Sequence, residues 1–403
     1  MSRKKDLINK KSLKIAIIGH KRIPSNEGGI EKGVEEHAVR MVALGHDVTV
    51  YNRRNDNING KKYNQERIKE YKGVKIVWIP TPNGGLGVVI YAFLATMHAI
   101  FRHYDVISYR ASGPCLMIPL AKLFGQRCVA SIHGFDSQRD KWSPAVRRLL
   151  EKGERYAVKH ADACLVLSSR MKQYVRETYG KEVLCFANGV SKPLKLHPVE
   201  VAEKWDLEKD SYILSLGRVE PEKGLHYMIE AFRKCSTDKK LVIAGGDSNH
   251  EYYRKLREMA EGDDRILFIG QVKGTIIGEL YSNAYIFMLP SNLEGMANTL
   301  LESMSYGCCD LVSDIAENTE VVGNYAVRFQ KGNVTDLQEK MQYLIDNPDI
   351  VEGYKAQSAD YITQKYSWDI VVEQMLRIYR GEYVEYNTVW EEYLKTHRDE
   401  KLS

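Results

Sequence analysis

Apolar runs of five to seven residues recur along the chain, separated by longer stretches whose apolar positions repeat every three or four residues. In the first half the runs are KIAIIG (14–19), DVTVYN (47–52), VKIVWIP (74–80), DVISYR (105–110), RCVASIH (127–133), ACLVLS (163–168) and EVLCFAN (182–188). Such runs suit strands buried on both faces of a sheet, and the periodicity between them suits helices. Helices are expected at 31–44, 114–123 and 144–160; Pro114 follows Gly113 and Pro144 follows Ser143, the arrangement of a helix start. This alternation predicts a parallel sheet covered by helices on both faces.

The stretch NGVSKPLKLHPVE (188–200) breaks the pattern with Gly189, Pro193 and Pro198, and reads as a linker. Alternation then restarts with YILSLG (212–217), KLVIAGG (240–246), RILFIG (265–270), YIFMLP (285–290) and DLVSD (310–314). Helices are expected near 224–234, 252–261, 278–284 and 298–306, and from 335 onward the chain reads as mostly helical. The restart predicts an α/β protein of two Rossmann-like, doubly wound parallel-sheet domains facing across a cleft. The boundaries read 1–190 for the first domain, 191–210 for a linker, 211–366 for the second domain and 367–403 for a helical tail packing back on the first. Ligands of open α/β sheets bind beyond the carboxyl ends of the strands, so chemistry is expected in the loops that follow them.

A length of 403 residues is too great for one ordinary core and fits two domains. Hydrophobic and charged contents of 44% and 28% exclude a disordered chain and a bundle of membrane spans. The apolar segment 86–101 has only Thr96 and His98 as polar residues, but it is shorter than the ~20 residues a span needs, and it predicts a buried helix of the first domain. The basic N-terminus leads into no long apolar run, so no signal peptide is expected. Seven scattered cysteines without a C-x-x-C pair read as reduced core residues of a cytoplasmic protein, with the neighbours Cys308 and Cys309 taken as packing. Charge divides the chain: residues 1–200 carry 35 Lys+Arg against 18 Asp+Glu, and residues 201–403 carry 23 against 35. A basic half implies an anionic partner, whether phosphate, nucleic acid or an anionic membrane surface.

Four loops carry candidate chemistry. After the first strand, RIPSNEGGIEKGVEE (22–36) lacks G-x-G-x-x-G, and Tyr51, Asn52 and Arg53 after the second strand offer no acid for a ribose, which disfavours a dinucleotide dehydrogenase. Gly28 and Gly29 stand before a helix, where bare backbone and the helix N-terminus suit an anion or a simple tight turn. In LGRVEPEKG (216–224), Arg218 and Lys223 flank a turn and could clamp two linked phosphates, or form a solvated surface turn. In SIHGFDSQRDKW (131–142), His133 ends a strand, and Arg139, Lys141 and Trp142 form a basic-aromatic cluster suited to phosphate, to a lipid-linked acceptor or to an ordinary helix cap.

The fourth loop, SNLEGMANTLLESMSYG (291–307), holds Glu294 and Glu302. Eight helical residues rise ~12 Å. Retaining glycosidases place their two carboxyl groups ~5–5.5 Å apart and inverting ones ~6.5–9.5 Å. The pair is therefore too far apart to share one glycosidic bond, and can instead hold two parts of one long ligand.

Taken together, GGIE, HGFD, NGV, LGRVEPEKG and PSNLEGMANTLLESMSYG, in this order over nearly the whole chain, resemble the retaining glycosyltransferase family 4 of the GT-B fold. The runs RIPSNEGGIEKGVEEHAVRMVALGHDVTVYNR and HGFDSQRDKW look like the branch that builds bacterial exopolysaccharide, capsule or O-antigen, with rhamnosyltransferase- and glucosyltransferase-like members. The resemblance implies that Glu294 bonds hydroxyls of the transferred sugar and Glu302 the ribose of the nucleotide. It implies that Arg218 and Lys223 bind the diphosphate, that His133 contacts the sugar near the reacting centre, and that Gly28 and Gly29 lie against phosphate and acceptor. Gly217, Gly295, Met296, Ala297 and Asn298 would complete the donor pocket, and Arg22, Arg110, Arg139 and Trp142 would face the acceptor. Met296, Ala297 and Cys309 depart from the family's usual aromatic, glycine and proline, so sugar preference does not transfer.

The implied activity moves a sugar, on a nucleoside diphosphate leaning to UDP, onto a polyprenyl-diphosphate-linked saccharide, with retention. It needs no cofactor and, lacking a D-x-D, no metal. The implied location is the cytoplasmic face of the membrane, as a peripheral protein. Rivals are a GT-B-type sugar-nucleotide epimerase and a non-catalytic nucleotide-sugar-binding subunit; nucleic-acid binding has no motif behind it.

Overall fold

The computed structural model describes residues 7–8, 10–25, 28–54, 66–82, 85–134, 137 and 143–396, with the side chains of 85 and 86 left aside. The chain divides into two units, Met1–Gly189 with Trp368–Ser403, and Val190–Ser367.

In the first unit the strands are β1 (Lys14–Ile18), β2 (Asp47–Arg54), β3 (Glu70–Tyr71), β4 (Val74–Pro80), β5 (Val106–Arg110), β6 (Cys128–Ile132), β7 (Ala163–Val166) and β8 (Leu184–Cys185). Between them run α1 (Gly29–Ala43), α2 (Gly85–Phe101), a 3₁₀ turn (Pro114–Met117), α3 (Ile118–Leu123), α4 (Pro144–His160) and α5 (Ser169–Tyr179). The sheet order is β3-β4-β2-β1-β5-β6-β7-β8, parallel except for β3, with Ile15 opposite both Val48 and Val106. Strand order reverses between β1 and β5. Right-handed crossovers from β4 rightward to β8 place α2 to α5 on one face, while α1, which returns leftward, takes the other. Strands β5, β6 and β7 are buried at every position, as their continuous apolar runs require.

The second unit holds α6 (Glu200–Trp205), β9 (Tyr212–Leu216), α7 (Leu225–Phe232), β10 (Lys240–Ala244), α8 (His250–Ala260), β11 (Ile266–Phe268), α9 (Thr275–Asn283) and β12 (Ile286–Leu289). It continues with α10 (Asn298–Ser305), β13 (Asp310–Ser313), α11 (Ala316–Val322), β14 (Val327–Phe329), α12 (Val334–Asp346) and α13 (Pro348–Lys365). Its parallel sheet runs β11-β10-β9-β12-β13-β14, so the order reverses between β9 and β12. Its core cluster gathers Ile213, Leu241, Ile243, Met288 and Leu311 from one face of that sheet, with Met228 and Phe232 of α7.

The tail forms α14 (Trp368–Arg380) and α15 (Tyr386–Thr396), grouped with the first unit. α14 packs on α1. Arg127 donates to the carbonyls of Tyr379 and Ile378 at 3.0 and 2.9 Å, and Glu385 takes Lys172 at 2.5 Å. Gly189 meets Trp368 so closely that a Cβ would stand 2.4 Å from the indole.

Three expectations change. The segment 191–210 is not a free linker: it contains α6, and the Glu279 carboxylate accepts the N–H groups of Val199 and Val201 at 3.0 and 3.1 Å, tying it into the second unit. The region 114–123 is a 3₁₀ turn followed by a short helix rather than one helix. The helix over 86–101 is buried on one side only. Tyr91, Ala92, Ala95, Ala99 and Ile100 are inside, while Ile90, Phe93, Leu94 and Phe101 are exposed. Among the described residues, no helix is long and apolar enough to cross a membrane.

Candidate functional site

Arg218 and Lys223 follow β9, and Glu294 to Asn298 follow β12. These are the two strands between which the order of the second sheet reverses, where an open α/β sheet leaves a crevice at its carboxyl edge. The two loops touch. The carbonyl of Glu222 accepts the N–H of Asn292 at 2.7 Å, and Gly224 sits at φ +66° with its Cα so near Pro290 that a Cβ would lie 2.1 Å from that carbonyl oxygen. Only glycine meets both demands.

Within this crevice Lys223 Nζ stands 2.5 Å from Glu294 Oε1, with the two side chains 18% and 8% exposed. The same oxygen accepts the Ser291 hydroxyl at 2.7 Å. Ser291 is itself fixed, because its carbonyl accepts Ser313 Oγ at 2.6 Å and Asn318 Nδ2 bonds Ser313 Oγ at 3.1 Å. Arg218 is exposed and makes no hydrogen bond or ion pair with a described residue. Gly217, Gly295, Met296 and Asn298 are partly exposed around it, and Ala297 is the buried N-cap of α10. The first N–H groups of α10 therefore open beside the Glu294 loop, which favours an anion there.

Glu302 lies one turn into α10, partly buried, with the Tyr281 hydroxyl donating to its Oε2 at 3.4 Å. Burial and that carboxylate hold the Tyr281 phenol well above its usual range, so it remains a donor. Glu294 is on the loop and Glu302 on the helix, so different elements carry the two carboxylates.

The carboxyl edge of the first sheet is of another kind. His20, Asn52, Arg110 and His133 sit at the ends of β1, β2, β5 and β6, with His37 on α1. Asn52 Oδ1 accepts the Ile23 N–H at 3.1 Å and lies 3.0 Å from His20 Nε2, which must then carry the proton. Arg110 is wholly buried. Its guanidinium reaches His37 Nδ1 at 3.2 Å, Ser131 Oγ at 3.4 Å and Tyr379 Oη at 3.5 Å, with no carboxylate partner among the described residues. His133 is partly buried, edge-on to Phe186 at 5.3 Å, and its Nε2 has no hydrogen-bond partner among the described residues. Burial, and then Arg110, lower the His133 imidazole to about 3; burial, despite the bond to Asn52, lowers His20 to about 3. Both are neutral at physiological pH.

Gly28 and Gly29 are exposed, with Gly28 capping α1 in extended backbone and Gly29 already inside the helix. Arg22 and Arg110, expected to face the acceptor, are instead 4% and 0% exposed, because the β1 and β5 ends turn them into the unit. Arg139 and Trp142 lie outside the described residues. Sequence reasoning missed Ser291, Tyr281, His37 and Tyr379. Ser291 and His37 stood inside quoted runs; Tyr281 and Tyr379 carried no local signal, since the fold brings them from distant segments.

Two family models match the chain in tandem: Glycosyltransferase Family 4 over residues 27–192 and Glycosyl transferases group 1 over residues 200–365. The chain thus belongs, half by half, to the glycosyltransferases of the GT-B fold. Among curated relatives, alpha-maltose-1-phosphate synthase of Mycolicibacterium smegmatis is 26% identical over 56% of this chain and 65% of its own. The O-antigen chain mannosyltransferase RfbU of Salmonella typhimurium is 26% identical over 51% of this chain and 57% of its own. These matches span less than two thirds of either relative's length. Among solved structures, Anabaena HepE in complex with UDP and glucose superposes with a TM-score of 0.75 at 15% identity, covering 91% of this chain and 99% of that one. At that identity the likeness is one of fold.

Proposed function

We propose that the protein is a retaining glycosyltransferase that moves a sugar from a nucleoside-diphosphate sugar, UDP-linked in the first instance, to a polyprenyl-diphosphate-linked saccharide during surface polysaccharide assembly. One observation carries this reading: an exposed guanidinium with no partner among the described residues, a Lys–Glu pair and a helix N-terminus lie at the β9/β12 reversal of the second unit. The HepE complex supports a UDP-sugar donor, and the RfbU match supports a glycan acceptor.

In this reading Arg218 and Lys223 bind the diphosphate, Glu302 the ribose and Glu294 the sugar hydroxyls. Donor entry replaces the Glu294 contact of Lys223 with a phosphate and releases the carboxylate toward the sugar. As the sugar–phosphate bond breaks, charge builds on the departing diphosphate, and the two cations stabilise it where it forms. They supply the positive charge that a divalent ion would otherwise bring. The acceptor hydroxyl attacks from the departing face and passes its proton to a donor phosphate oxygen, so no protein nucleophile is used.

The test is release of UDP from UDP-sugars in EDTA, with and without a polyprenyl-diphosphate saccharide. Acceptor-dependent release with retained anomeric configuration is expected. Turnover of the sugar nucleotide without acceptor, or loss of all turnover in EDTA, contradicts the reading.

A further inference from the structure

The second sheet has an opposite end that the donor chemistry does not use. Lys209 precedes β9, Ser282 lies in the last turn of α9 ahead of β12, and Gly307 stands between α10 and β13. These residues therefore gather at the amino edge of the sheet, around the same β9/β12 reversal. With Lys195, and with Glu352 and Lys355 of α13, they line a cavity of about 190 Å³. That is an order of magnitude more than the ~10–15 Å³ that admits one water. All of these residues belong to the second unit.

The fold brings each lysine to the cavity from a different segment. Lys195 is placed by its neighbour: the Leu196 N–H donates to Ser282 Oγ at 3.0 Å, and the Leu196 carbonyl accepts Asn283 Nδ2 at 3.0 Å. A Cβ on Gly307 would stand 3.2 Å from the Lys195 ammonium. Lys209 is placed by Asp210, whose N–H donates to the Asn283 carbonyl at 2.8 Å. Lys355 is largely buried and is shared between Asp210 and, at 3.1 Å, Glu352. Lys239 adds a further ammonium behind Asp210, 2.7 Å from its carbonyl oxygen. Lys195 and Lys209 are exposed, and neither ammonium has a hydrogen-bond or ion-pair partner among the described residues. Helix C-termini attract cations, and α9 and α10 both end here. Neither of these ammonium groups, however, donates to a last-turn carbonyl.

Residues 201–403 carry 23 Lys+Arg against 35 Asp+Glu, so ammonium groups gathered around one cavity go against the charge of their surroundings. The charged lining is three lysines and one glutamate, a net +2. Such a cluster of one sign concentrates counter-ions. We propose that this cavity binds a phosphate monoester. Such a group carries about −1.5 to −2 at pH 7, which matches the lining, and it presents three strong acceptor oxygens. Lys195 and Lys209 take those oxygens by charge-assisted hydrogen bonds, while Lys355 stays on its carboxylates. A monovalent anion would leave half of the lining charge unmatched. The site lies at the other end of the strands from Arg218 and stands independently of the transferase reading.

The experiment is calorimetry of the full chain with inorganic phosphate and with glycerol 3-phosphate, against potassium chloride of equal ionic strength. It is run on the wild type and on Arg218→Ala, which removes the open cation of the donor edge. Both phosphates should bind the wild type and should still bind Arg218→Ala. In that background Lys195→Gln with Lys209→Gln should weaken binding at least tenfold, and Lys209→Gln alone at least threefold. The lysines are exposed, so melting temperatures without phosphate should match the parent chain. Three results overturn the proposal: no binding by the wild type beyond that of chloride, binding that Arg218→Ala abolishes, or binding undiminished by the lysine substitutions. The last, with a lowered melting temperature, would make the lysines counterweights to the helix ends.

Discussion

The two units share a sheet plan and differ in what they place at its carboxyl edge. Both reverse strand order beside their first strand, at β1/β5 and at β9/β12. In the first unit the polar groups at the reversal turn inward and bond to one another: His20 to Asn52, and Arg110 to His37, Ser131 and Tyr379. In the second they turn outward, with Arg218 exposed and Lys223 held by the Glu294 carboxylate, which a ligand can displace. One topology thus yields a buried, internally bonded wall in one case and an open cationic seat in the other. The difference lies in a few residues after each strand.

The largest effect should come from removing the open cation. Arg218→Ala should lower turnover on the order of 10²–10³-fold, the usual loss of a charge-stabilising donor, without shifting the melting temperature. Steady-state kinetics with a matched melting curve checks this, and near-normal turnover would remove the diphosphate role. Glu302→Ala should weaken UDP binding roughly ten- to a hundredfold by calorimetry, since hydrogen bonds to a charged group contribute ~1.5–3 kcal/mol. An unchanged dissociation constant would refute the ribose assignment. Ser291→Ala should lower transfer several-fold to tenfold, because Glu294 loses the hydroxyl that holds Oε1. The effect should fall on kcat more than on UDP affinity; the reverse split would place Glu294 on the nucleotide.

The smallest effect sharpens the contrast in buried charge. His20 and His133 are held near 3, below the 6.5 of the unfolded chain. As pH falls from about 6.5 toward 3 the unfolded chain binds protons that the folded first unit refuses, so stability drops by up to ~1.4 kcal/mol per pH unit for each histidine. Asp310 in the second unit has the opposite sign. Burial raises its carboxyl well above the usual range, despite a short bond from Ser303, so its contribution is present at low pH and is lost as pH rises above about 4. Urea midpoints from pH 7 down to 4 should fall in the wild type and fall less steeply in His20→Gln. An identical slope would show that His20 is not a neutral buried group.

Much of the fold was legible. Strands buried on both faces announce themselves as apolar runs: β1 and β4 to β7 lie inside the segments marked from the sequence alone, and β2 runs two residues past its segment. β3 and β14 were not legible: a two-residue edge strand and the three residues Val327–Phe329 are too short for any period to register. α6 escaped for a similar reason. It has six residues and Val201 as its buried one, and is fixed by Glu279 from far along the chain. At the site, both carboxylates were legible inside one motif, but helix rise does not set their separation, because Glu294 stands on the loop before α10 and Glu302 within it. The Ser291–Ser313–Asn318 chain was not legible, because it joins a loop, the end of β13 and α11, which only the fold brings together.

The central claim is that the β9/β12 reversal of the second unit seats a nucleoside diphosphate through Arg218. Its most direct measurement is the thermal shift of the wild type and of Arg218→Ala with UDP, GDP and dTDP and their sugars, since a ligand that binds the folded state raises the melting temperature. The account predicts a clear rise for one nucleotide class, largest for UDP, that Arg218→Ala abolishes or strongly reduces. No shift with any nucleotide, or an equal shift in the variant, would contradict it.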